Sequence, residues 1–279
     1  MVEYIRWSVW RIFQIGALLY SAVLLLLLFF ETTIVFPAPA TQNEHPAATN
    51  NLELVDFKSV DSTKLHGYHY RHPNPQYYFL YCHGNATDIS YLGSVATTLR
   101  EKYGASVFLF DYRGYGESEG SPHEAGILQD GEAALETFAK RENISPNQII
   151  PIGRSLGGGI AVHVAVKYQT KMVIIQNSFS SLVDVAANRY PVFPVRYLMR
   201  NQLRSDLKIT EYKGFLFQSH AAQDRVVPYQ FGKKLHDTYK GPKEFYSYES
   251  GHNSLLPPEY YDKLKVALQT QGESNEPLR

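Results

Sequence analysis

The chain is short of three things: cysteine, net charge and low-complexity sequence. Its only cysteine is Cys82, so an intrachain disulfide is excluded and no cluster of thiolates can bind a metal. The 27 basic side chains balance the 27 acidic ones, which removes the electrostatic case for a nucleic acid or another polyanion as partner. Repeats and basic tracts are missing too. What remains is a globular protein, and residues 52–279 are enough to bury one large core.

A long apolar run near the N-terminus is the first positive feature. Residues 12–30, IFQIGALLYSAVLLLLLFF, carry no charge and are about long enough to cross a ~30 Å hydrocarbon core. Arg6 and Arg11 precede the run, and no further Lys or Arg occurs before Lys58. The positive-inside rule therefore predicts a short cytoplasmic N-terminus (1–11), a transmembrane signal anchor (12–36) and a domain outside the cytoplasm, periplasmic or lumenal.

A cleavable signal peptide is the alternative to this anchor. The sequence APA at 38–40 resembles a signal-peptidase site, but the apolar run is longer than a usual signal-peptide core, which favours an uncleaved anchor. Trp7, Trp10 and Tyr20 are expected near the membrane interface. Residues 37–51, rich in Pro, Ala and Asn, are predicted to form a semi-extended linker, which keeps the domain within about 50 Å of the bilayer.

Beyond the linker, short apolar runs alternate with helical patterns. Residues 52–60 and 62–72 predict an antiparallel hairpin at a sheet edge. Further strands are predicted at 76–82, 105–111, 148–153, 172–176, 214–220 and 244–249, and helices at 88–104, 123–143, 155–169 and 257–271. This order predicts an α/β fold over 52–279, with a mostly parallel sheet and helices on both faces. In such sheets the ligand site lies beyond the carboxyl ends of the strands.

A G-x-S-x-G pentapeptide, Gly153-Arg154-Ser155-Leu156-Gly157, stands at one of these strand ends. A strand that turns sharply into a helix crowds its neighbours, so glycines are needed at Gly153 and Gly157. The serine hydroxyl then projects from a helix N-terminus, which favours developing negative charge. The pattern predicts a nucleophile elbow; a glycine-rich helix start without chemistry is the alternative.

A nucleophilic serine needs a base that is oriented by an acid. His252 directly follows the last predicted strand, and Asp224 lies in the loop after the strand before it. We predict the order Ser155, Asp224, His252 for nucleophile, acid and base, with Asp184 as the alternative acid. His220 ends a strand and is a weaker candidate for the site. The remaining histidines are predicted to be packed or at the surface: His163 in the first group, and His45, His66, His69, His72, His123 and His236 in the second.

An oxyanion hole requires two backbone N–H groups that face the developing negative oxygen. Leu156, directly after the serine, supplies the first in this prediction. The second is the N–H of Asn85, which follows the turn His83-Gly84 after a predicted strand. Asn85-Ala86-Thr87 is also a formal glycosylation sequon, and a glycan there would block the site.

At these residues the chain resembles the α/β-hydrolase superfamily, and more narrowly its membrane-anchored Bem46-like and ABHD13/ABHD17-like serine hydrolases. The resemblance spans about residues 52–271. It rests on five motifs: HGNA (83–86), DYRGYGESEG (111–120), GRSLGGG (153–159), QDRVVP (223–228) and SGHN (250–253). It implies Ser155 as nucleophile, Asp224 as acid and His252 as base. Depalmitoylases of this branch carry an N-terminal cysteine cluster, which this chain lacks, so their substrate does not transfer.

The sequence thus predicts a serine hydrolase that cleaves acyl esters or thioesters through an acyl-enzyme and needs no metal or organic cofactor. Residues 177–213 separate two strands and predict either a small apolar cap or an ordinary packed helix with a loop. With an anchor nearby, a small-molecule or lipid acyl substrate is expected. A serine peptidase and a non-catalytic binding module are the alternatives. The leaving group and the oligomeric state stay open.

Overall fold

The structure, a computed structural model, describes residues 2–38 and 51–273. Most of the predicted linker, with the larger part of the candidate cleavage site, lies outside these residues, as does His45. The chain opens with two helices, α1 (Val2–Phe29) and α2 (Glu31–Val35). Residues Tyr4–Phe29 of α1 are long and apolar enough to cross a membrane, with a mean hydropathy of 2.4.

One eight-stranded sheet organises the rest of the described chain. Its strands, in chain order, are β1 (Leu52–Lys58), β2 (Lys64–Tyr70), β3 (Tyr77–Cys82), β4 (Ala105–Phe110), β5 (Ile149–Arg154), β6 (Met172–Gln176), β7 (Phe215–Ala221) and β8 (Lys243–Tyr248). In space they are ordered β1-β2-β4-β3-β5-β6-β7-β8. Strand β2 is antiparallel to both β1 and β4, and β3 to β8 run parallel. The predicted edge hairpin and parallel sheet are both confirmed.

The helices cover both faces of this sheet. In chain order they are α3 (Gly93–Tyr103), α4 (Glu124–Glu142), α5 (Gly157–Tyr168), α6 (Leu182–Arg189), α7 (Val195–Leu198), α8 (Ser205–Lys208), α9 (Tyr229–Thr238) and α10 (Pro258–Glu273). Short 3₁₀ turns occupy Ile89–Leu92, Pro146–Gln148 and Ile209–Glu211. Buried side chains of α3 and α10 pack on one face, and those of α4, α5 and α9 on the other. Four of these helices match the predicted ones, whereas α9 was not predicted.

The carboxyl ends of the parallel strands meet at one edge. Cys82 of β3 pairs with Gly153 of β5, and Arg154 pairs with Gln176 of β6. Ala221 of β7 pairs with Tyr248 of β8 further along the same edge. This register brings the loops after β3, β5, β6, β7 and β8 together, so that residues from five separate parts of the chain can form one site.

Helix α2, which follows α1 after Phe30, packs against the body of the α/β domain. The Glu31 carboxylate is buried and accepts hydrogen bonds from the backbone N–H groups of Arg200 and Asn201 at 2.9 Å. The Arg200 guanidinium lies 3.0 Å from the same carboxylate. Phe36 is 3% exposed and belongs to the core. Residues 31–36 therefore bind the segment between β6 and β7, which contains α6, α7 and α8.

Candidate active site

Ser155 lies at the turn between β5 and α5 with a left-handed backbone, φ 51°. Its N–H donates to the Gln176 carbonyl at 2.9 Å, and its carbonyl accepts from the Ser178 hydroxyl at 2.7 Å. These two bonds, one to the end of β6 and one to the loop after it, stabilise a conformation that costs a non-glycine residue about 1–3 kcal/mol. The strained backbone is the geometry of the predicted elbow.

The two elbow positions, Gly153 and Gly157, require glycine because neighbouring atoms lie too close to leave room for a side chain. A Cβ on Gly157 would lie 2.5 Å from the carbonyl carbon of Cys82 and from the carbonyl oxygen of His83. A Cβ on Gly153 would lie 2.6 Å from the Ala161 Cβ. Because Cys82 ends β3 and His83 directly follows it, any side chain at Gly157 pushes α5 away from the neighbouring strand.

Gly157→Ala is therefore expected to destabilise the fold by about 1–3 kcal/mol, the typical cost of overpacking. Gly159→Ala is the matched control, since a Cβ there meets only the Leu203 side chain at 3.4 Å. In that variant the gain in helix propensity, up to about 1 kcal/mol, should offset any crowding. Thermal unfolding of both variants measures the difference, and equal melting temperatures would contradict the close-packing argument.

The structure brings Ser155, His252 and Asp224 into one hydrogen-bonded chain. His252 Nε2 lies 3.0 Å from Ser155 Oγ, and His252 Nδ1 lies 2.6 Å from Asp224 Oδ2. With Nδ1–H donating to the carboxylate, Nε2 is free to accept the serine proton. This is the geometry that the predicted roles of nucleophile, base and orienting acid require.

The Asp224 carboxylate is fixed on both of its oxygens. Oδ1 accepts from the N–H groups of Val226 and Val227, each at 2.8 Å, while Oδ2 accepts from His252. The Asp224 side chain is fully buried. His220 Nε2 is 3.6 Å from Oδ2, and its own hydrogen bond goes to the Val227 carbonyl at 2.9 Å. His220 thus packs behind the acid and does not line the cleft.

The loop that carries His252 is held by two residues that sequence reasoning did not select. The His252 carbonyl accepts from the Arg154 guanidinium and from the Asn177 side-chain amide, both at 3.0 Å. The Asn177 Oδ1 accepts in turn from the Ala221 N–H and the Tyr248 hydroxyl. Asn177 directly follows β6, so its place at a strand end was a signal available in the sequence.

The two residues predicted for the oxyanion hole flank Ser155 in different ways. Leu156 follows it, with its side chain buried in the core, so only its N–H can serve the site. Asn85 lines the cleft, and its side chain is held at both ends: Nδ2 donates to the Val35 carbonyl at 2.6 Å, and Oδ1 accepts from the Tyr115 hydroxyl at 2.6 Å. Since Val35 ends α2, the N-terminal segment directly supports this loop.

A buried polar pair lies behind the Asn85 loop. His83 Nδ1 donates to the Gly84 carbonyl at 2.7 Å, and its Nε2 lies 3.4 Å from Asp111 Oδ1. Burial lowers the pKa of His83 to about 4 and raises the pKa of Asp111 well above its usual value. Burial thus disfavours the charged form of both side chains. Asp111 Oδ1 also accepts from the Ile89 N–H at 3.0 Å, so the two side chains link the turn after β3 to the loop that follows Asn85.

The site opens into a cleft of about 480 Å³. Ser155, His252 and Asn85 line it together with apolar and aromatic side chains from β3, α3 and the adjoining turns and loops, namely Tyr81, Leu92, Val95 and Val226. A cleft of this size accommodates a substrate of ordinary small-molecule dimensions.

Asp184, the alternative acid, lies elsewhere. Its carboxylate pairs with the Arg196 guanidinium and with the Lys234 ammonium, the latter at 2.8 Å. The histidines predicted at the surface also include exceptions: His66 is buried beside Asp56, and His69 is buried 2.7 Å from Glu142. Those two predictions were wrong because the alternation of a strand does not reveal what covers each face: His69 packs against Phe138 of α4, and His66, on the other face, lies near Glu117 in the loop after β4.

Comparison with known proteins agrees with this architecture. A family model described as the alpha/beta hydrolase fold matches residues 77–259. Esterase Pf2001 of Pyrococcus furiosus has the same fold, with a TM-score of 0.68 at 17% identity over 84% of this chain and 98% of that one. An acetyl xylan esterase from a Paenibacillus species gives 0.61 at 16% identity, over 83% and 87%. The protein is thus of the α/β-hydrolase class.

Relatives in sequence are found in bacteria and in humans. An uncharacterised protein of Mycobacterium tuberculosis is 30% identical over 258 residues, covering 89% of this chain and 88% of that protein. Human alpha/beta hydrolase domain-containing protein 17B is 31% identical over 195 residues, covering 69% and 66%. The chain belongs to the α/β-hydrolase family, and its similarity to the human protein agrees with the predicted ABHD-like branch.

Proposed function

We propose that the protein is a membrane-anchored serine hydrolase that cleaves acyl esters or thioesters. The observation that carries this proposal is the continuous hydrogen-bonded chain Ser155–His252–Asp224, with Ser155 on a strained elbow at the floor of an open cleft. The esterase folds of the structural neighbours agree with the reaction class.

In the proposed mechanism, Ser155 Oγ attacks the acyl carbonyl while His252 Nε2 takes the hydroxyl proton. The backbone N–H groups of Leu156 and Asn85 stabilise the oxyanion, and Asp224 stabilises the imidazolium. His252 then returns the proton to the leaving alcohol or thiol, which leaves an acyl-serine. A water molecule, deprotonated by His252, attacks this acyl-serine and releases the acid and the free Ser155 hydroxyl. No step requires a metal or an organic cofactor.

The N-terminal segment supports an anchor that is retained. Cleavage near residues 38–40 would remove Phe36 from the core, the Val35 carbonyl from Asn85 and the buried Glu31 carboxylate from Arg200 and Asn201. Each loss leaves a cavity or an unsatisfied buried donor, at a cost of about 1–3 kcal/mol for each orphaned group. We infer that residues 31–36 are part of the working hydrolase, with the domain outside the cytoplasm as the charge pattern predicts.

Residues 177–213 are the proposed cap. They contribute α6, α7 and α8 between β6 and β7. With an apolar cap and an anchor that keeps the cleft near a bilayer, the preferred substrates are lipid or acylated molecules. A peptidase of the same fold and a non-catalytic binding module are the alternative functions. The reactivity of Ser155 and the type of bond that the protein cleaves distinguish them from the proposed hydrolase.

A fluorophosphonate probe tests the proposal directly. The purified full-length protein is treated with the probe, and the labelled peptide is identified by mass spectrometry. We expect one label on Ser155, together with turnover of p-nitrophenyl esters or acyl thioesters and no turnover of the matching anilides. Anilide turnover would favour the peptidase. A folded protein that neither labels nor turns over esters would leave the binding module.

A further inference from the structure

The cap has an edge that runs alongside the last turns of α1. This cap edge (residues 190–199) contains α7 and the loop before it. The Tyr20 hydroxyl donates to the Val192 carbonyl at 3.0 Å, and the Tyr20 ring stacks on Phe193 with centroids 5.1 Å apart. Further along the same side of α1, Leu24 and Leu27 face the cap edge across an apolar groove that Leu28, Tyr190, Leu198 and Met199 also line.

The position of Tyr20 in α1 sets the depth of this contact. Tyr20 precedes Phe29 by nine residues, which is about 13 Å along a helix. The first acidic residue after α1 is Glu31, and its ion pair with Arg200 belongs at the level of the lipid headgroups. If α1 spans the bilayer, the cap edge therefore extends below the headgroups, because half of the hydrocarbon core is only about 15 Å thick.

The side chains of the cap edge suit that environment. Val192 is 69% exposed, Tyr197 87% and Leu198 37%, which is unusual for apolar groups in water but favourable in a bilayer. The charge of Arg196 is directed to Asp184, and that of Arg200 to Glu31. Tyrosine at the margin of such a surface is typical of membrane interfaces.

The backbone of the cap edge is also suited to lipid, where an unpaired N–H costs several kcal/mol. Pro191 and Pro194 have no N–H to satisfy. Four other N–H groups donate to carbonyls within the cap edge, those of Phe193, Val195, Tyr197 and Met199.

We propose that the cap edge is a second membrane-contacting element, immersed in the same leaflet as the C-terminal end of α1. This inference rests on the membrane anchor of the proposed function. The exposed face of the cap edge would contact the acyl chains of the bilayer. We infer this because the cap edge packs against α1, the proposed transmembrane helix.

A depth measurement on the full chain tests this inference. Tyr197→Cys is labelled with a thiol-reactive, polarity-sensitive fluorophore and reconstituted into phosphatidylcholine vesicles. The native Cys82 is fully buried, so it does not compete for the reagent. Lys140→Cys is the matched control, because Lys140 is exposed near the C-terminal end of α4, at the opposite edge of the sheet.

Lipids with a nitroxide on the acyl chain should quench the label at position 197, and its emission should shift to the blue, with neither change at position 140. Equal behaviour of the two labels in a protein that resists alkaline extraction would overturn the immersion while leaving the anchor in place. Release of the protein by alkaline extraction would overturn the anchor and this inference with it. Fluorophosphonate labelling of Ser155 in the same samples reports on the hydrolase function separately.

Discussion

Replacing the Ser155 hydroxyl by hydrogen is expected to abolish hydrolysis. In Ser155→Ala, kcat for an activated ester should fall by about 10⁴- to 10⁶-fold, as in other serine hydrolases that lose the nucleophile. The reason is geometric: Ser155 Oγ lies 3.0 Å from His252 Nε2, the atom proposed to take its proton. What activity remains would come from the oxyanion N–H groups and from substrate binding.

Two controls separate chemistry from folding in this variant. The left-handed backbone of Ser155 is no more difficult for alanine than for serine, so the melting temperature should stay close to that of the wild type. Ser94→Ala, at an exposed position of α3, should keep full activity. Measured kcat values for the two variants against a p-nitrophenyl ester decide the matter, and an active Ser155→Ala would remove Ser155 from the mechanism.

Asp224→Asn is expected to have the second-largest effect, a fall in kcat of about 10⁴-fold. Because the N–H groups of Val226 and Val227 both bind Oδ1, the amide of the substituted side chain would keep its oxygen there and turn its NH₂ toward His252. The Nδ1 of His252 would then have to accept, so its proton would move to Nε2. A protonated Nε2 cannot take the proton of Ser155.

Asp184→Asn is the control that separates the two candidate acids. Asp184 bonds to Arg196 and Lys234 rather than to His252, so its loss should lower the melting temperature modestly and leave kcat unchanged. The pH–rate profiles of both variants provide a second measurement. Loss of activity in Asp184→Asn with an active Asp224→Asn would assign the acid to the cap instead.

Much of the core architecture was predictable because it depends on local patterns. Buried parallel strands are apolar along their whole length, so β3, β5, β6 and β7 were found to within a residue or two of their observed bounds. The elbow was predictable for a related reason: Gly153 and Gly157 are needed by the turn itself, wherever the rest of the chain lies. In a parallel sheet, strand ends share one edge, which predicted that residues 155, 224 and 252 would meet.

Tertiary structure alone decided the contacts between segments distant in sequence. From the sequence we predicted residues 31–36 as the end of the membrane anchor. In the structure Glu31, Val35 and Phe36 bind the body of the domain, and Arg200, a partner of Glu31, is more than 160 residues away in the chain. The periodicity of apolar residues in the sequence does not predict such a contact, because the partners are brought together only when the whole chain packs. The same holds for the choice between Asp224 and Asp184: both follow strands, and only the packing brings one of them within 2.6 Å of His252.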